Sequence, residues 1–456
     1  MKIPSTRLAA LSGLLLFLNA CQTHQGSIKT ATPSDIPAQF TLQTEQRPNP
    51  GDPWWQHAIN DQNLISEIEY ALGNSPKIAK SQSEVSQAEA ELAAALADLG
   101  WNLDLNGSTK FNKNSGTMTR PTQLSIDITF PLDLFNSLQA TADAAQYEAV
   151  AAVAAYQQER NNLVEDWLST YVDLAENAQL ASLLEDQIAT SETLLHLTRL
   201  RFAQGQSSSV DVLQQQDQLA ALKQQIPVFS FNQQEAGNTL SALAGKSPKL
   251  SQTDHPKEIP SVNSAIAIST PLALLDSRAD LVEQRANLAA ANSRYEAAIR
   301  SALPELDFSS QLLIKTVSGD ASDLITATLS AAWSIFDSGA QDALNNERKA
   351  QVQAQAYQYL QAWIDAVADL DTLLHKTHSL KERLGLAESR LAVAEQLLKA
   401  STKRYERGVS DYLPVLSALR GLQQQQQEQI KLKAELARTR VQLQAAAGHI
   451  QNQKKS

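Results

Sequence analysis

The chain is written twice. A fixed offset of 203 residues carries Leu72 onto Leu275, Ala88 onto Ala291, Ala95 onto Ala298 and Leu103 onto Leu306. It also carries Arg201, Gly205, Val212 and Leu213 onto Arg404, Gly408, Val415 and Leu416. Near the ends of the halves, Leu240, Ala244 and Gly245 fall on Leu443, Ala447 and Gly448. Only around the strand signals does the register drift, where Phe135 answers Phe336. A period this long marks a duplicated domain rather than a short-repeat solenoid. Whatever one half folds into, the other must fold into as well.

Each half reads helix, strand pair, long helix, turn, helix. Alanine-rich helices without internal proline are expected over 76–100 and 279–302. Alternation at period two follows: Trp101, Leu103, Leu105 and then Leu124, Ile126, Ile128, Phe130 stand between polar neighbours. The second half has Leu306 and Phe308, then a less regular run from Leu324 through Leu329 to Trp333. Polar residues at 112–121 and 318–322 suit exposed turns. Long helices are expected over 137–202 and 339–405. In the first, Trp167, Tyr171, Leu174, Ala178, Ala181, Leu184, Ile188 and Leu195 advance by about 3.5 residues per turn. In the second, Trp363, Val367, Leu370 and Leu374 do the same, and Leu384, Leu391 and Leu398 step by sevens. That is a coiled-coil seam. Periodicity alone would be satisfied by an ordinary soluble coiled coil.

Lengths and strands point elsewhere. Each long helix is about 66 residues, roughly 100 Å. The helix after the turn (210–245) and the leading helix nearly match that length when laid end to end, as they do in the second half. Two short helices stacked beside each long one make a wall of uniform height. The strands are about ten residues, the length of a tilted membrane strand. An open sheet edge in hydrocarbon leaves N–H and C=O groups unpaired at several kcal/mol each. Bacterial barrels begin at eight strands. Two hairpins per chain must therefore be completed by other chains, and three chains supply twelve strands. Past residue 20 no stretch approaches the ~20 apolar residues of a membrane-spanning helix.

Among 456 residues there are 16 glycines and 16 prolines, too few for a turn-rich sandwich or propeller. Lys and Arg total 38 against 49 Asp and Glu, which argues against a nucleic-acid partner. Cys21 is the single cysteine, so neither a disulfide framework nor a cysteine metal cluster is available. Lys2 and Arg7 precede an apolar run ending in Leu14, Leu15, Leu16, Phe17 and Leu18, as in a secretory signal. Leu18-Asn19-Ala20-Cys21 resembles a bacterial lipobox, which makes Cys21 the expected site of lipid attachment. The plainer reading is a signal peptide with an incidental cysteine. The absence of Asp at Gln22 resembles lipoproteins sorted to the outer membrane.

From Trp54-Trp55 to Gly448 the chain resembles the TolC-like outer-membrane factor family, in particular its lipoprotein branch serving tripartite efflux pumps. The most specific segment is Arg404-Tyr405-Glu406-Arg407-Gly408-Val409-Ser410-Asp411-Tyr412-Leu413, echoed by Arg201-Phe202-Ala203-Gln204-Gly205. Leu274 to Asp280, Ala289 to Asn292 and Pro131 to Phe135 are similar to family signatures too. The resemblance implies a mainly α fold with a membrane β-barrel portion: a homotrimer with a 12-stranded barrel, four strands per chain, and an α-barrel in the periplasm. It further implies a passive exit duct in the bacterial outer membrane, docked by a periplasmic membrane-fusion adaptor and driven by an inner-membrane pump. No cofactor is expected beyond the lipid on Cys21.

The expected division is a signal peptide at 1–20, a linker at 21–55, a first repeat at 56–247, a second linker at 248–270, a second repeat at 271–448 and a tail at 449–456. Hairpins are expected at about 101–131 and 304–335, and periplasmic turns at about 203–209 and 406–411. By resemblance the turns meet the adaptor, which assigns that role to Gly205, Ser207, Gly408, Val409, Ser410 and Asp411. The family narrows its closed aperture just inside the turn; the matching positions are Leu413 and Ser417. Many relatives carry Asp where Ser417 stands, so a carboxylate ring at that level is in question. Arg278 and Asp280 read as a helix start, with Ala279 in place of the family's proline. Gln423 to Gln427 read as a solvated wall face.

Catalysis finds little support. Of seven histidines only His375 and His378 have a helical ligand spacing, and no third ligand motif accompanies them. There is no phosphate-cradling loop or nucleophile elbow. An efflux duct is the leading expectation. The same channel in type I protein secretion is the near alternative, and a non-channel periplasmic coiled-coil scaffold lipoprotein is the distant one.

Overall fold

The computed structural model describes residues 40, 53–114, 117–247, 256, 258–263, 270–317 and 320–448. Cys21, the expected signal peptide, the tail and most of both linkers lie outside the described residues.

The first half contains α1 (Trp54–Ala58), α2 (Gln62–Asn74), α3 (Pro76–Ala97), β1 (Asn102–Thr109), β2 (Asn112–Asn114), β3 (Thr117–Thr119), β4 (Thr122–Pro131), α4 (Ser137–Ala203), α5 (Ser209–Lys223) and α6 (Ile226–Leu243). A 3₁₀ turn at Pro271–Ala273 opens the second half. There follow α7 (Leu274–Ser277), α8 (Ala279–Arg300), β5 (Glu305–Val317), β6 (Asp320–Ala332), α9 (Ala340–Glu406) and α10 (Leu413–Ala447). Both long helices, α4 and α9, have 67 residues, about 100 Å each.

The four main strands form one antiparallel sheet in the order β1-β4-β5-β6. Helices pack side by side. Helix α4 is flanked by α3 on one side and α8 on the other along its first part. Farther along, α5 and α6 take the place of α3, and α10 takes the place of α8. Helix α9 packs chiefly on α8 and α10, and meets α4 where Arg201 reaches Tyr405. Short helices thus stack in pairs beside each long one.

The joints of those stacks are glycines. Gly245, after α6, has φ +69°, and Lys246 N–H donates to the Ser241 carbonyl at 2.7 Å, closing the helix. A Cβ at Gly245 would collide with the Asn74 carbonyl at the α2–α3 joint. Gly448, after α10, has φ +68°, and a Cβ there would lie 2.8 Å from the Ser277 carbonyl oxygen, where α8 begins. The duplicated glycines are therefore what allows one helix end to abut the next. Arg278 and Asp280 sit at the second joint, joined by an ion pair of 2.6 Å.

Around the first joint lies the largest core. Trp54 and Trp55 meet edge to face at 5.9 Å and bury against Leu64, Ile68, Leu163, Trp167, Leu168 and Leu240. Helix α1 therefore straddles the boundary expected between residues 55 and 56. Ile59 pairs with Val262, which holds part of the inter-repeat segment on this core. The seams follow the expected period: Trp167, Leu174, Leu184 and Leu195 are buried, as are Trp363, Leu370 and Leu374. Leu384, Leu391 and Leu398 stay partly exposed.

Two expectations are corrected. The helix expected over 210–245 is broken at Gln224-Gln225, because Pro227 in the first turn of α6 supplies no N–H to the preceding turn. Its counterpart Ile430 leaves α10 continuous for 35 residues. Neither polar region is simply a turn: β2 and β3 prolong the first hairpin within 112–121, and β6 begins at Asp320 within 318–322.

Substitution separates the joint glycines from ordinary ones. Gly245→Ala and Gly448→Ala should each cost at least about 1 kcal/mol, since a Cβ meets backbone at positive φ. Gly385→Ala, within α9 with no neighbour inside 4 Å, should stabilise by about 0.5–1 kcal/mol. Thermal melting of the purified protein at the helical circular-dichroism band reads both. Shifts of the same sign in all three variants contradict the stacking account.

Candidate functional site: sheet edges and helical tips

Register fixes the two faces of the sheet. Leu103 pairs with Ile128 and Leu105 with Ile126; Leu124, Ile126 and Phe130 pair with Ile314, Leu312 and Phe308. Phe308 and Leu312 continue to Leu329 and Ile325. One face is therefore an apolar band crossing all four strands, and Leu105, Ile325 and Leu329 on it are about 70% exposed. The opposite face carries Asn106, Ser125, Asp127 and Gln311. Asp127 accepts from Asn106 Nδ2 at 2.9 Å, Ser125 Oγ at 2.8 Å and Gln311 Nε2 at 2.5 Å. A sheet apolar outside and hydrogen-bonded inside has the alternation of a barrel wall in lipid. Among the described residues, no helix is long and apolar enough to cross a membrane.

Both layers end in unpartnered edges. Among the described residues, the outer edges of β1 and β6 have no strand beside them. On the helical layer, α9 exposes Tyr357, Leu386, Val393 and Leu397 on one flank of the chain. On the other flank α5 and α6 expose Val210, Leu213, Ile226, Val228 and Phe231.

At the end of the helices remote from the sheet, two turns lie together. Gly205 (φ +72°) and Gly408 (φ +70°) close α4 and α9. Gln206 N–H donates to Arg201 O at 2.8 Å, and Val409 N–H to Arg404 O at 3.0 Å. Only one of the duplicated arginines is buried. Arg201 lies 4.4 Å from the Tyr405 ring centroid and donates from Nη1 to the Tyr405 carbonyl and, at 3.4 Å, to that of Glu406. A cation thus satisfies the unpaired carbonyl end of the other long helix. Tyr405 and Tyr412 meet edge to face at 5.6 Å. Tyr412 O–H donates to Gln215 Oε1, and Gln215 Nε2 donates to Ser191 O at 2.8 Å. Burial, with Tyr405 beside it, pushes the Tyr412 hydroxyl far above its ordinary range and keeps it a donor.

The expected tip residues fall around this knot. Gly205, Gly408, Val409 and Asp411 are exposed; Ser207 and Ser410 are partly so. Ser207 Oγ donates to Asp211 Oδ2 at 2.8 Å, and Ser208 and Asp211 form a capping box that starts α5. Burial tends to raise the Asp211 carboxyl, but the bonds from Ser208 and Ser207 outweigh it and hold it below the usual range. Leu413 and Ser417 share the exposed face of α10, and Arg420 joins them one turn farther on. Arg420 Nε donates to Gln218 Oε1 at 2.7 Å. This face presents serine and arginine where a carboxylate was in question.

Sequence reasoning missed Arg201, Gln215 and Tyr412, although the pairing of Arg201 with Arg404 was visible. It also misplaced part of the glutamine run. Gln423 and Gln425 are buried, and Gln423 Oε1 accepts from Gln218 Nε2 at 2.9 Å. Gln187 Nε2 reaches Gln426 Oε1 at 3.0 Å. Amides in this stretch bond across the helix interface rather than facing only water. His375 and His378 each approach a carboxylate one turn away, Asp371 at 3.7 Å and Glu382 at 3.4 Å.

The knot has a measurable signature. Tyr412→Phe leaves the buried Gln215 oxygen without its donor, a cost of about 1–3 kcal/mol. Amide exchange in both turns should accelerate by about tenfold or more, with the sheet unchanged. Arg201→Gln should act in the same direction. Unaltered exchange at the turns contradicts the coupling.

Comparison with known proteins agrees with this geometry. Residues 68–246 and 271–449 match the outer membrane efflux protein family, one match per half. Toxin and drug export protein A of Aggregatibacter actinomycetemcomitans is 24% identical over 377 residues, 80% of this chain and 81% of that protein. Cation efflux system protein CusC of Escherichia coli K12 is 24% identical over 428 residues, 89% of this chain and 91% of its own. The solved structure of the outer-membrane channel OprN superposes with a TM-score of 0.86 at 20% identity, covering 92% of this chain and 98% of that one. The duplicated chain belongs to the outer membrane efflux protein family.

Proposed function

We propose that three copies of the chain close into a duct that gives substrates of a tripartite efflux pump passive exit through the outer membrane. The observation carrying this reading is the pair of unpartnered flanks. β1 faces out at one end of the sheet and β6 at the other, while α5–α6 and α9 bear exposed apolar rows on opposite flanks. Unlike edges that fit each other make a head-to-tail contact, which closes into a ring when the rotation per subunit divides the circle. At four strands per chain, three copies give twelve strands, above the eight at which bacterial barrels begin.

In this reading the polar face around Asp127 lines the lumen and the apolar band meets lipid. The helical tips at Gly205, Ser207, Gly408, Val409, Ser410 and Asp411 receive a periplasmic adaptor. Small and exposed residues suit that task, since they admit a second backbone closely. An inner-membrane pump supplies the energy. Leu413 and Ser417 project from α10 as the narrow point of the closed duct, and the knot through Arg201 and Tyr412 holds the closed tips. Cys21 carries the lipid that tethers the mature chain, with the helical part in the periplasm. Nothing in the duct requires catalysis or a bound cofactor. Protein secretion remains the second reading, favoured by one relative whose name joins toxin and drug export.

Planar-bilayer recording tests the duct. Purified protein should open discrete ion-conducting channels, and Leu413→Ala should raise the closed-state conductance. A protein that inserts but conducts nothing contradicts the reading. In cells, deletion should sensitise to small toxic compounds; lost protein secretion with unchanged sensitivity would select the second reading.

A further inference from the structure

The first hairpin outreaches the second, and its extension keeps register. Thr109 pairs with Thr122 in β1–β4, and Asn112 with Thr119 and Lys113 with Met118 in β2–β3. Each residue gained on one strand is matched by one on the other, so the ladder resumes in phase after a gap at Lys110-Phe111 and Arg120-Pro121. Pro121 has no N–H to give the ladder, though its carbonyl accepts from Lys110 N–H at 3.0 Å. Alternation then decides the faces. Phe111, Lys113 and Arg120 lie on the face of Leu103, Leu105, Leu124 and Ile126. Lys110 lies on the opposite face, with Asn106.

Away from the helices, the apolar band therefore ends in an aromatic ring and two cations. Phe111 is 67% exposed, and the Arg120 guanidinium stands 5.2 Å from its ring centroid. Lys113 is the diagonal cross-strand neighbour of Arg120, at about 7–8 Å between backbones. Neither cation has a carboxylate partner among the described residues. The one acid of this face, Asp323, sits two strands away on β6 and opposite Ile314, below the end of the second hairpin. In a chain of net charge −11, two bare cations at the rim of the apolar band are a concentrated exception.

We propose that Phe111, Lys113 and Arg120 form a binding site for the phosphorylated headgroup of a lipid in the outer leaflet. Arg120 offers a planar fork to the phosphate oxygens and Lys113 a point charge beside it. The Phe111 ring lies at the depth where headgroup gives way to acyl chain, the usual level of an interfacial aromatic. The assignment rests on the reading that this face of the sheet meets lipid.

Native mass spectrometry of the full-length protein in detergent, titrated with diphosphorylated lipid A, tests it. Lys113→Gln and Arg120→Gln should each weaken retention about fivefold, and the pair about thirtyfold. Lys110→Gln, which removes a neighbouring charge from the other face, should bind as the parent does. Dephosphorylated lipid should abolish the difference between parent and double variant. Equal binding by the double variant, or an equal loss in Lys110→Gln, overturns the site. Displacement of the lipid by inorganic phosphate at matched concentration overturns its assignment to lipid. Oligomer mass and bilayer conductance, recorded on the same samples, separate the two levels. If the parent forms no conducting oligomer, the duct reading fails; if it conducts and the charge variants bind normally, only the lipid site fails.

Discussion

A row of backbone N–H and C=O groups without partners cannot rest in hydrocarbon. The β1-β4-β5-β6 sheet has such a row at each end, and one broad face of it is built from leucine, isoleucine and phenylalanine. Water would solvate the edges but not the face; lipid would accept the face but not the edges. Only a closed ring satisfies both, because each β6 then finds a β1. The helical layer obeys the same logic with weaker forces. Its exposed apolar rows on α9 and on α5–α6 lie on the two flanks that closure would bring together.

Duplication gives this wall its even height. Each long helix needs two shorter ones beside it, and those must meet end to end without a gap. Gly245 and Gly448 make that possible by ending α6 and α10 at positive φ, pressed against the next helix start. The remote turns at Gly205 and Gly408 share the positive φ but not the crowding, since no atom lies within 4 Å of a Cβ at Gly205. One glycine geometry thus makes a tight internal joint in one place and an open tip in another.

Much of this was legible in the residues. Period-two alternation marked the first hairpin, a less regular run at the repeat offset marked the second, and period 3.5 marked the long helices, because burial on one face imposes those spacings directly. The breaks were harder to see. Pro227 was overlooked as the end of α5, though its counterpart Ile430 shows what the second copy gains without it. The stretch from Asn112 to Thr119 reads as polar loop because its residues offer no apolar alternation, yet β2 and β3 pair within it. Gln423 and Gln425 look solvent-facing in sequence, since an amide bonds a neighbouring helix as readily as water. At the tips, Arg201 and Arg404 hold the same place in the repeat, each four residues before its turn glycine, yet only Arg201 is buried. The difference arises from packing against Tyr405, which no local pattern encodes.

The number of copies in the assembled particle tests ring closure most directly. Mass measured by light scattering on the detergent-solubilised protein, corrected for bound detergent, should equal three chains and show no lower species under mild conditions. A stable, folded monomer with its hairpins in solution would contradict the account.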